Sequence, residues 1–230
     1  RGVPLGRYGE IRSIFHRIQE QFGVLLTVIN DGDVTALAGS MSLGVNSVIG
    51  IALGSSLAAG YINDKGEVMG WLNELAFAPI DIQPDAPIEE WSGDRGCGAS
   101  YLSQQAVFRL ALAAGIELPE GITDAEKLDL VQKRLEKGHD GAAKIWQTMG
   151  VYLGYAIALY ANFYDIKHVL LLGRCTSGRG GDILLHKAQE VLRQDFPACA
   201  DEIQLHLPDE KSRRVGQSVA AASLPVIPDK

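Results

Sequence analysis

The sequence predicts a mixed α/β fold in which helices cover a sheet. Hydrophobic residues make up 47% of the 230 residues and charged residues 21%, so the chain can bury a sizeable core. Short apolar, β-branched runs alternate with longer segments whose apolar residues recur at helical spacing. This order of elements is typical of helices packed on a sheet, and 230 residues leave room for one large domain or two small ones.

The first half of the chain is predicted to alternate helices with buried strands. Apolar residues at helical spacing predict a first helix with one buried face, which Gly23 ends. The apolar run over 24–29 is typical of a strand covered on both faces. Two further apolar runs are joined by small residues, and the tight-turn sequence over 63–66 follows them. The predicted elements are a helix over 8–22, a strand over 24–29, a helix over 34–43, and strands over 47–53 and 57–62.

Helices dominate the second half of the chain. The loop over 70–98 that precedes them is long for a structureless loop, so we expect it to be functional or to contain short elements of its own. Thr123 and Glu126 have the spacing of a helix-capping box. The predicted elements are helices over 101–114, 124–137 and 142–163, a strand over 168–172, a helix over 181–194, a strand over 202–207 and a helix over 211–222.

Composition argues against several classes of partner. The net charge is −7, whereas nucleic-acid binding needs clustered Lys and Arg. The cluster Lys211, Arg213 and Arg214 follows two acidic residues and is interpreted as a solvated helix start. The longest apolar stretch, over 151–163, is shorter than the roughly 20 residues of a membrane span. We therefore expect neither a nucleic-acid partner nor a membrane partner.

The cysteines indicate a reducing compartment. Cys97, Cys175 and Cys199 are an odd number without CxxC spacing, which argues against a disulfide scaffold and against a complete cysteine-based zinc site. A cytoplasmic location is the expectation.

Three predicted strands end in small or polar residues, where ligands collect in open α/β sheets. A carboxylate held after a strand, as in Asn30-Asp31, suits a general base, although spacing alone favours a turn that caps the next helix. The turn Gly54-Ser55-Ser56 would let an anion approach the backbone, or it is an ordinary hairpin turn. The Gly-rich segment over 173–181 suits phosphate contact before a helix, but it matches neither the GxGxxG nor the Walker spacing.

Taken together and in order, these segments resemble the ROK family of bacterial sugar kinases and related repressors. The matching segments are GVPL at the start, Asn30-Asp31 after an apolar run, residues 53–60 on the family's LGTGIGGG hairpin, residues 70–79 on GaaGEiGHmp, residues 92–97 on CGnRGC, and residues 171–177 on vlGGGvs. The resemblance implies a ribonuclease H-like lobe of an actin-like ATPase, with a mixed sheet flanked by helices. The resemblance spans nearly the whole chain, and it implies that residues 1–230 form a single domain similar to the carboxy-terminal lobe of a ROK sugar kinase.

The resemblance also implies roles for individual residues. Asp31 falls on the catalytic aspartate that takes the proton from a sugar hydroxyl, and Asn30 and Glu74 fall on sugar-contacting positions. The nucleotide-binding positions that it implies are Gly54, Ser55, Ser56, Gly173 and Arg174. ATP and Mg²⁺ are expected if the protein is active.

The chain departs from the family at the structural zinc site. Phe77 stands at the place of the family's zinc-binding His, and of its three Cys only Cys97 remains, with Glu90 and Ser92 near the other two places. One thiolate cannot hold tetrahedral Zn²⁺, so no zinc is predicted. We expect packing of Phe77, Trp71 and Trp91 to hold the loop instead.

Further departures concern the two ligands. Ala99 stands where the family has a second sugar-contacting Glu. Ser56, Ala58 and Ala59 replace glycines, and each added Cβ narrows the approach for phosphate. Arg174 also replaces a glycine, and it would either pair with phosphate or block the adenine pocket.

Two functions follow from the resemblance. The first is ATP-dependent phosphoryl transfer to a hexose or amino-sugar hydroxyl, in a lobe whose catalysis could be degenerate. The second is a sugar-sensing or oligomerising domain of a ROK-type repressor, which the lost zinc ligands and glycines favour. The family's amino-terminal lobe with its DxGGT loop has no counterpart in this sequence. The helix over 142–163 is apolar well around its circumference, so it is either deeply buried or at a subunit interface. We predict a homodimer.

Overall fold

The structure is a computed structural model that describes residues 5–208 and 218–224. The strands are β1 (Val48–Leu53), β2 (Leu57–Ile62), β3 (His168–Leu172) and β4 (Gln204–His206). The helices are α1 (Tyr8–Arg12), α2 (Ile14–Phe22), α3 (Asp31–Leu43), α4 (Gly98–Tyr101), α5 (Gln104–Ala111), α6 (Asp124–Glu136), α7 (Asp140–Tyr160), α8 (Arg179–Asp195) and α9 (Pro197–Glu202). Residues 218–223 are also helical. The rest of the predicted helix over 211–222, with its basic cluster, lies outside the described residues.

One mixed sheet organises the described chain, with strand order β2-β1-β3-β4. β1 pairs antiparallel with β2 and parallel with β3, which pairs parallel with β4. The main core lies on one face under α7 and α8, and α3 covers a smaller apolar cluster on the other face. The predicted mixed sheet flanked by helices is confirmed.

Helix α3 lies across the strands rather than along them. Three of its residues approach three register partners in one row of the sheet: Gly32 next to Gly60, Ala36 next to Gly50, and Gly39 next to Leu170. The helix rises about 10 Å over this interval, which matches two strand spacings of about 4.8 Å. A Cβ on Gly60 would lie 2.2 Å from the Gly32 carbonyl oxygen, so this approach requires glycine. It brings the start of α3 to the edge strand β2.

The predicted strand over 24–29 is wrong. These residues have no regular secondary structure, and Val24, Leu25 and Val28 are at least half exposed. A buried strand needs a neighbour, and no described strand pairs with this segment. The helix predicted before it is present as α1 and α2, but neither contributes a buried residue, so the predicted buried face is also wrong.

Other predicted boundaries shift for local reasons. Helix α3 begins three residues earlier than predicted, because Asn30 caps it. The helix predicted over 101–114 is divided into α4 and α5, because the Ser103 side chain caps a new helix start. The capping box of Thr123 and Glu126 is confirmed. Helix α9 occupies residues just before the short strand β4, which is shorter than predicted.

The loop over 70–98 contains short elements of its own. A 3-10 turn spans Leu75–Phe77, and isolated bridges join Pro79 to Cys97 and Ile88 to Arg95. The Phe77 and Trp91 rings pack 5.9 Å apart, as predicted. Trp71 does not join them: its ring stacks on Tyr61 instead, so that part of the packing prediction is wrong.

Burial accounts for most of the apolar circumference of α7. This helix packs on α8, α5 and α6, while Tyr155 and Leu159 remain partly exposed. The homodimer stays a prediction. No helix in the described ranges combines the length and apolarity that a bilayer crossing requires.

Candidate functional site

The start of helix α3 carries the predicted acid. Asn30 caps the helix: its Oδ1 accepts the Gly32 N–H at 2.8 Å. Asp31 Oδ1 accepts the same N–H at 2.9 Å, and the Asp31 side chain is exposed. The capping interpretation of Asn30 is therefore confirmed, and it leaves an exposed carboxylate at the positive end of the helix.

A second aspartate, which the sequence analysis did not single out, lies buried in α3 two residues after Asp31. Asp33 is 4% exposed, and its Oδ1 accepts a hydrogen bond from Asn73 Nδ2 at 2.9 Å and from the Tyr61 N–H at 3.4 Å. Burial raises the pKa of Asp33, the bonds from Asn73 and Tyr61 lower it in part, and the charge of Asp31 raises it further. An acidic residue two positions after Asp31 is the only sequence signal for it.

Glu74 directly follows the residue that binds Asp33. Its carbonyl oxygen accepts the Phe77 N–H at 3.1 Å, which starts the 3-10 turn. The Glu74 side chain is exposed, and within the described ranges its carboxylate has no hydrogen bond or ion pair. The Asp33–Asn73 contact thus brings the turn that carries Glu74 to the helix start that carries Asn30 and Asp31.

Aromatic side chains pack behind this contact. The Tyr61, Trp71 and Tyr164 rings have centroids 5.1 to 6.2 Å apart. The Tyr164 hydroxyl donates to Asn73 Oδ1 at 3.1 Å, so it supports the amide that binds Asp33. Trp71 remains 48% exposed. The sequence analysis missed Asn73, Tyr61 and Tyr164 as parts of the site.

The two predicted nucleotide turns lie together at the ends of the parallel strands β1 and β3. Gly173 has φ 95°, and a Cβ there would lie 2.4 Å from the Leu53 carbonyl oxygen. The turn after Leu53 is therefore packed directly on Gly173. This is the arrangement that the strand-end argument requires.

The turn after β1 leaves donors in solvent. Gly54 N–H donates to the Ser56 carbonyl at 2.9 Å, and the Gly54 carbonyl accepts the Gln104 N–H. Ser55 and Ser56 are exposed, and no backbone bond within the described part of the chain uses their N–H groups. Two free amides and two hydroxyls at one turn can bind an anion. Arg174 is exposed beside Gly173, and its carbonyl accepts from Gln132 Nε2 at 2.9 Å.

A polar cavity of about 460 Å³ opens beside Ser55, between the loop over 87–90 and helices α5 and α6. The two cations that line it are already engaged. Lys127 pairs with Asp124 at 3.1 Å, and Arg109 donates to the Ser100 carbonyl at 3.0 Å. Of the predicted site residues only Ser55 lines this cavity.

The start of helix α3, which carries Asp31, and the turn Gly54-Ser55-Ser56 both adjoin strand β2. Ala59, whose carbonyl approaches Gly32, lies three residues along β2 from Ser56. At about 3.3 Å per residue, Ser56 lies about 10 Å along the strand from the residue that the start of α3 approaches. The structure therefore gathers the predicted residues into two groups: Asn30, Asp31 and Glu74 in one, and Gly54, Ser55, Ser56, Gly173 and Arg174 in the other.

The region of the family's zinc site is built differently. Cys97 is buried at the start of α4, and the described residues contain no group of three or more His, Cys, Asp or Glu that could hold a metal ion. Glu89 takes the central position in this loop: its carboxylate accepts the N–H groups of Trp91 and Ser92 at 3.0 and 2.7 Å. Absence of zinc stays a prediction.

The family model that matches this sequence and the similar solved structures described below concern the same family. The sequence model of the ROK family matches residues 10–203. A solved ROK family transcriptional regulator, a homologue of the E. coli MLC protein, is 23% identical with a TM-score of 0.71; the alignment covers 92% of this chain and 55% of that one. A ROK family glucokinase from Streptomyces griseus, in complex with glucose and AMPPNP, is 19% identical with a TM-score of 0.69, covering 91% and 72%. The ROK hexokinase from Thermus thermophilus is 16% identical with a TM-score of 0.68, covering 91% and 69%.

The chain spans about half the length of the regulator that it matches. No curated protein matches the sequence. At these identities the solved structures show the fold, which is the actin-like ATPase fold of the ROK kinases. The family match extends over most of the chain, from within helix α1 to the residue before β4. The chain belongs to the ROK family.

Proposed function

We propose that this chain is the sugar-binding part of a phosphotransferase that moves the γ-phosphoryl group of ATP to a hydroxyl of a hexose or amino sugar. One observation carries the proposal: the Asp33–Asn73 bond of 2.9 Å brings the Glu74 turn to the helix start that bears Asp31. Similarity to a glucokinase in complex with glucose and AMPPNP supports it.

Asp31 is the general base in this proposal. Its carboxylate takes the proton of the sugar hydroxyl, the oxygen bonds to the γ-phosphorus, and the bond from that phosphorus to the ADP oxygen breaks. Exposure leaves Asp31 accessible to a sugar, and one of its oxygens has no partner in the described chain. Asn30 and Glu74 contact the other sugar hydroxyls and fix the ring orientation.

The turns after β1 and β3 hold the nucleotide. The free amides of Ser55 and Ser56 suit the phosphate oxygens, with Gly54 giving the close approach. Gly173 lies on the adenosine side, and Arg174 supplies a positive charge there. Mg²⁺ bound to the nucleotide neutralises phosphate charge. The hydroxyls of Ser55 and Ser56 are two further donors for phosphate oxygens.

The test is phosphoryl transfer by the full-length protein to a panel of hexoses and N-acylated amino sugars. Asp31→Asn should lower kcat by roughly 10²- to 10⁴-fold and change the sugar KM by less than about threefold. Asp140→Asn is the matched control, because Asp140 is likewise an exposed aspartate at the first position of a helix. Equal activity of Asp31→Asn and wild type would remove Asp31 from this role.

The second candidate is sugar sensing without transfer. It is favoured by the serine and alanine residues at the family's glycine positions, and by similarity to the ROK transcriptional regulator. Calorimetry with each sugar and with ATP–Mg²⁺ separates the two functions: a sensor binds sugar and no nucleotide, and a kinase binds both.

We also propose that the protein is located in the cytoplasm and forms a homodimer. Sedimentation of the full-length protein at micromolar concentration tests the dimer, and a pure monomer there would contradict it.

A further inference from the structure

We propose that Asp33 and Asn73 are positioning residues, whose hydrogen bond holds the Glu74 turn against the start of helix α3. The inference rests on the proposed function, because it concerns the same sugar site. Asp33 and Asn73 are 4% and 7% exposed, so they are too buried to contact a sugar. They act through Asp31 and Glu74, which are close to them in the chain and exposed.

The bond ties together three segments that are distant in sequence. Asn73 Nδ2 donates to Asp33 Oδ1 at 2.9 Å, and the same oxygen accepts the Tyr61 N–H of the edge strand at 3.4 Å. The other end of the Asn73 amide accepts the Tyr164 hydroxyl at 3.1 Å. Helix α3, strand β2 and the segment after α7 are therefore joined through two bonded groups, the Asp33 carboxyl and the Asn73 amide.

Asn73 is a departure from the family segment that the sequence resembles. That segment, GaaGEiGHmp, has glycine before its glutamate, where this chain has Asn73. A glycine offers no side chain, so the connection from Asp33 to the Glu74 turn depends on this asparagine. Asp33 in turn depends on Asn73, because no cation pairs with it in the described chain and a buried carboxylate without partners is costly.

The consequence for the reaction is geometric. A base must lie within hydrogen-bond reach of the sugar hydroxyl, and a misplacement of about 1 Å costs about a hundredfold in rate. Without the Asn73 tether, the exposed Glu74 at the start of the turn is no longer held against α3. Sugar binding then weakens first, and transfer slows because the hydroxyl no longer meets Asp31.

Two single variants and the double variant that exchanges the two side chains test the pair in the full-length protein. The double variant conserves the total charge. Asn73→Asp sets two carboxylates against each other, and it should raise the sugar KM at least about tenfold while kcat falls less. Asp33→Asn alone retains an acceptor for Asn73 and for Tyr61 but loses the carboxyl group, so it should raise KM less than Asn73→Asp does. Asp33→Asn combined with Asn73→Asp restores one amide and one carboxylate, and it should return KM to within about threefold of wild type.

Melting temperature is measured for every variant, because loss of stability alone would be a structural effect. If Asn73→Asp lowers the melting temperature but leaves KM unchanged, the positioning role is overturned. If the exchanged variant keeps the high KM of Asn73→Asp, the pairing is overturned. If Asn73→Asp does not fold, Tyr164→Phe replaces it: it keeps the ring, removes the hydroxyl that supports Asn73, and should raise KM without lowering kcat to the same extent.

These outcomes are distinct from failure of the proposed function. If Asp31→Asn loses transfer while the Asn73 variants behave as wild type, the proposed function stands and the positioning role is wrong. If wild type neither binds nor phosphorylates any sugar of the panel, the proposed function fails, and this inference fails with it.

Discussion

Glu89 is a buried hydrogen-bond acceptor in the loop over 70–98. It is 3% exposed, and its two carboxylate oxygens accept from Trp91 N–H, Ser92 N–H and Gln105 Nε2 at 2.7 to 3.2 Å. One acceptor group thereby closes a turn and joins it to helix α5. Arg95 adds a bond to the Ala86 carbonyl at 2.8 Å. Hydrogen bonds, together with the Phe77–Trp91 contact, hold the loop in place.

Glu89→Ala should lower the free energy of unfolding by about 2 kcal/mol, because it removes the charged acceptor of three part-buried hydrogen bonds. Glu90→Ala is the matched control: Glu90 is the neighbouring residue and is exposed, so its loss should change stability by less than about 0.5 kcal/mol. Denaturant unfolding of both variants and of wild type measures the difference. Equal losses for the two variants would contradict the role of Glu89.

The same carboxylate should make stability depend on pH. Burial alone would raise the pKa of Glu89, but the hydrogen bonds from Ser92, Gln105 and Trp91 together hold it below its ordinary value of 4.5. A lowered folded pKa means that the stabilisation is fully present above the ordinary pKa and is lost as the pH falls through the folded value. The unfolding free energies of wild type and Glu89→Gln should therefore converge as the pH falls below about 4. A constant difference from pH 7 to pH 3 would contradict this.

At the residue scale, the sequence singles out exposed candidate residues of the site but not the buried ones close to them in the chain. Asn30, Asp31 and Glu74 are predicted from motifs, and each motif lies within a few neighbouring residues. Asp33 and Asn73 are 40 residues apart, and their contact exists only because α3 reaches the edge strand. No local pattern encodes that contact, and the same holds for the Tyr164 hydroxyl that supports it.

At the element scale, the row of close contacts under α3 determines where Asp31 lies. The Gly60→Ala methyl would meet the Gly32 carbonyl oxygen at 2.2 Å, whereas the Gly50→Ala methyl would meet Ala36 at 3.0 Å. We expect destabilisation of about 3 kcal/mol for the first and about 1 kcal/mol for the second. Gly54→Ala is the control in the same hairpin, with its nearest contact at 3.5 Å. Thermal unfolding that ranks the three variants differently would contradict the crossing geometry.

Predictions of whole elements succeed where packing inside the described domain agrees with the local pattern. The strands over 48–53, 57–62 and 168–172 and the helices α6, α7 and α8 lie where apolar periodicity predicts them. The strand over 24–29 fails because its apolar residues have no partner strand in the described sheet. Its composition satisfies strand propensity, but a strand is stabilised by pairing, which one segment does not supply.

At the scale of the whole molecule, one group of exposed large apolar residues is concentrated in the amino-terminal segment, while others such as Leu72, Ile82 and Leu112 are exposed elsewhere in the described chain. The exposed group comprises Tyr8, Ile11, Ile14, Phe15, Ile18, Phe22, Val24, Leu25 and Val28. Helices α1 and α2 contribute no buried residue. This segment therefore adds apolar surface to the molecule without adding to its core.

Removal of residues 1–28 should consequently leave the domain intact. The melting temperature of the shortened chain should stay within about 2 °C of the 230-residue chain, because less than about 0.5 kcal/mol of stability is lost. Binding of a fluorescent apolar dye should fall, since the exposed apolar group is gone. Asn30 and Ile29 are retained, so the cap of α3 and the position of Asp31 are preserved. A fall in melting temperature of more than about 5 °C would show that the segment packs on the domain, and it would contradict the exposed placement from which this prediction is derived.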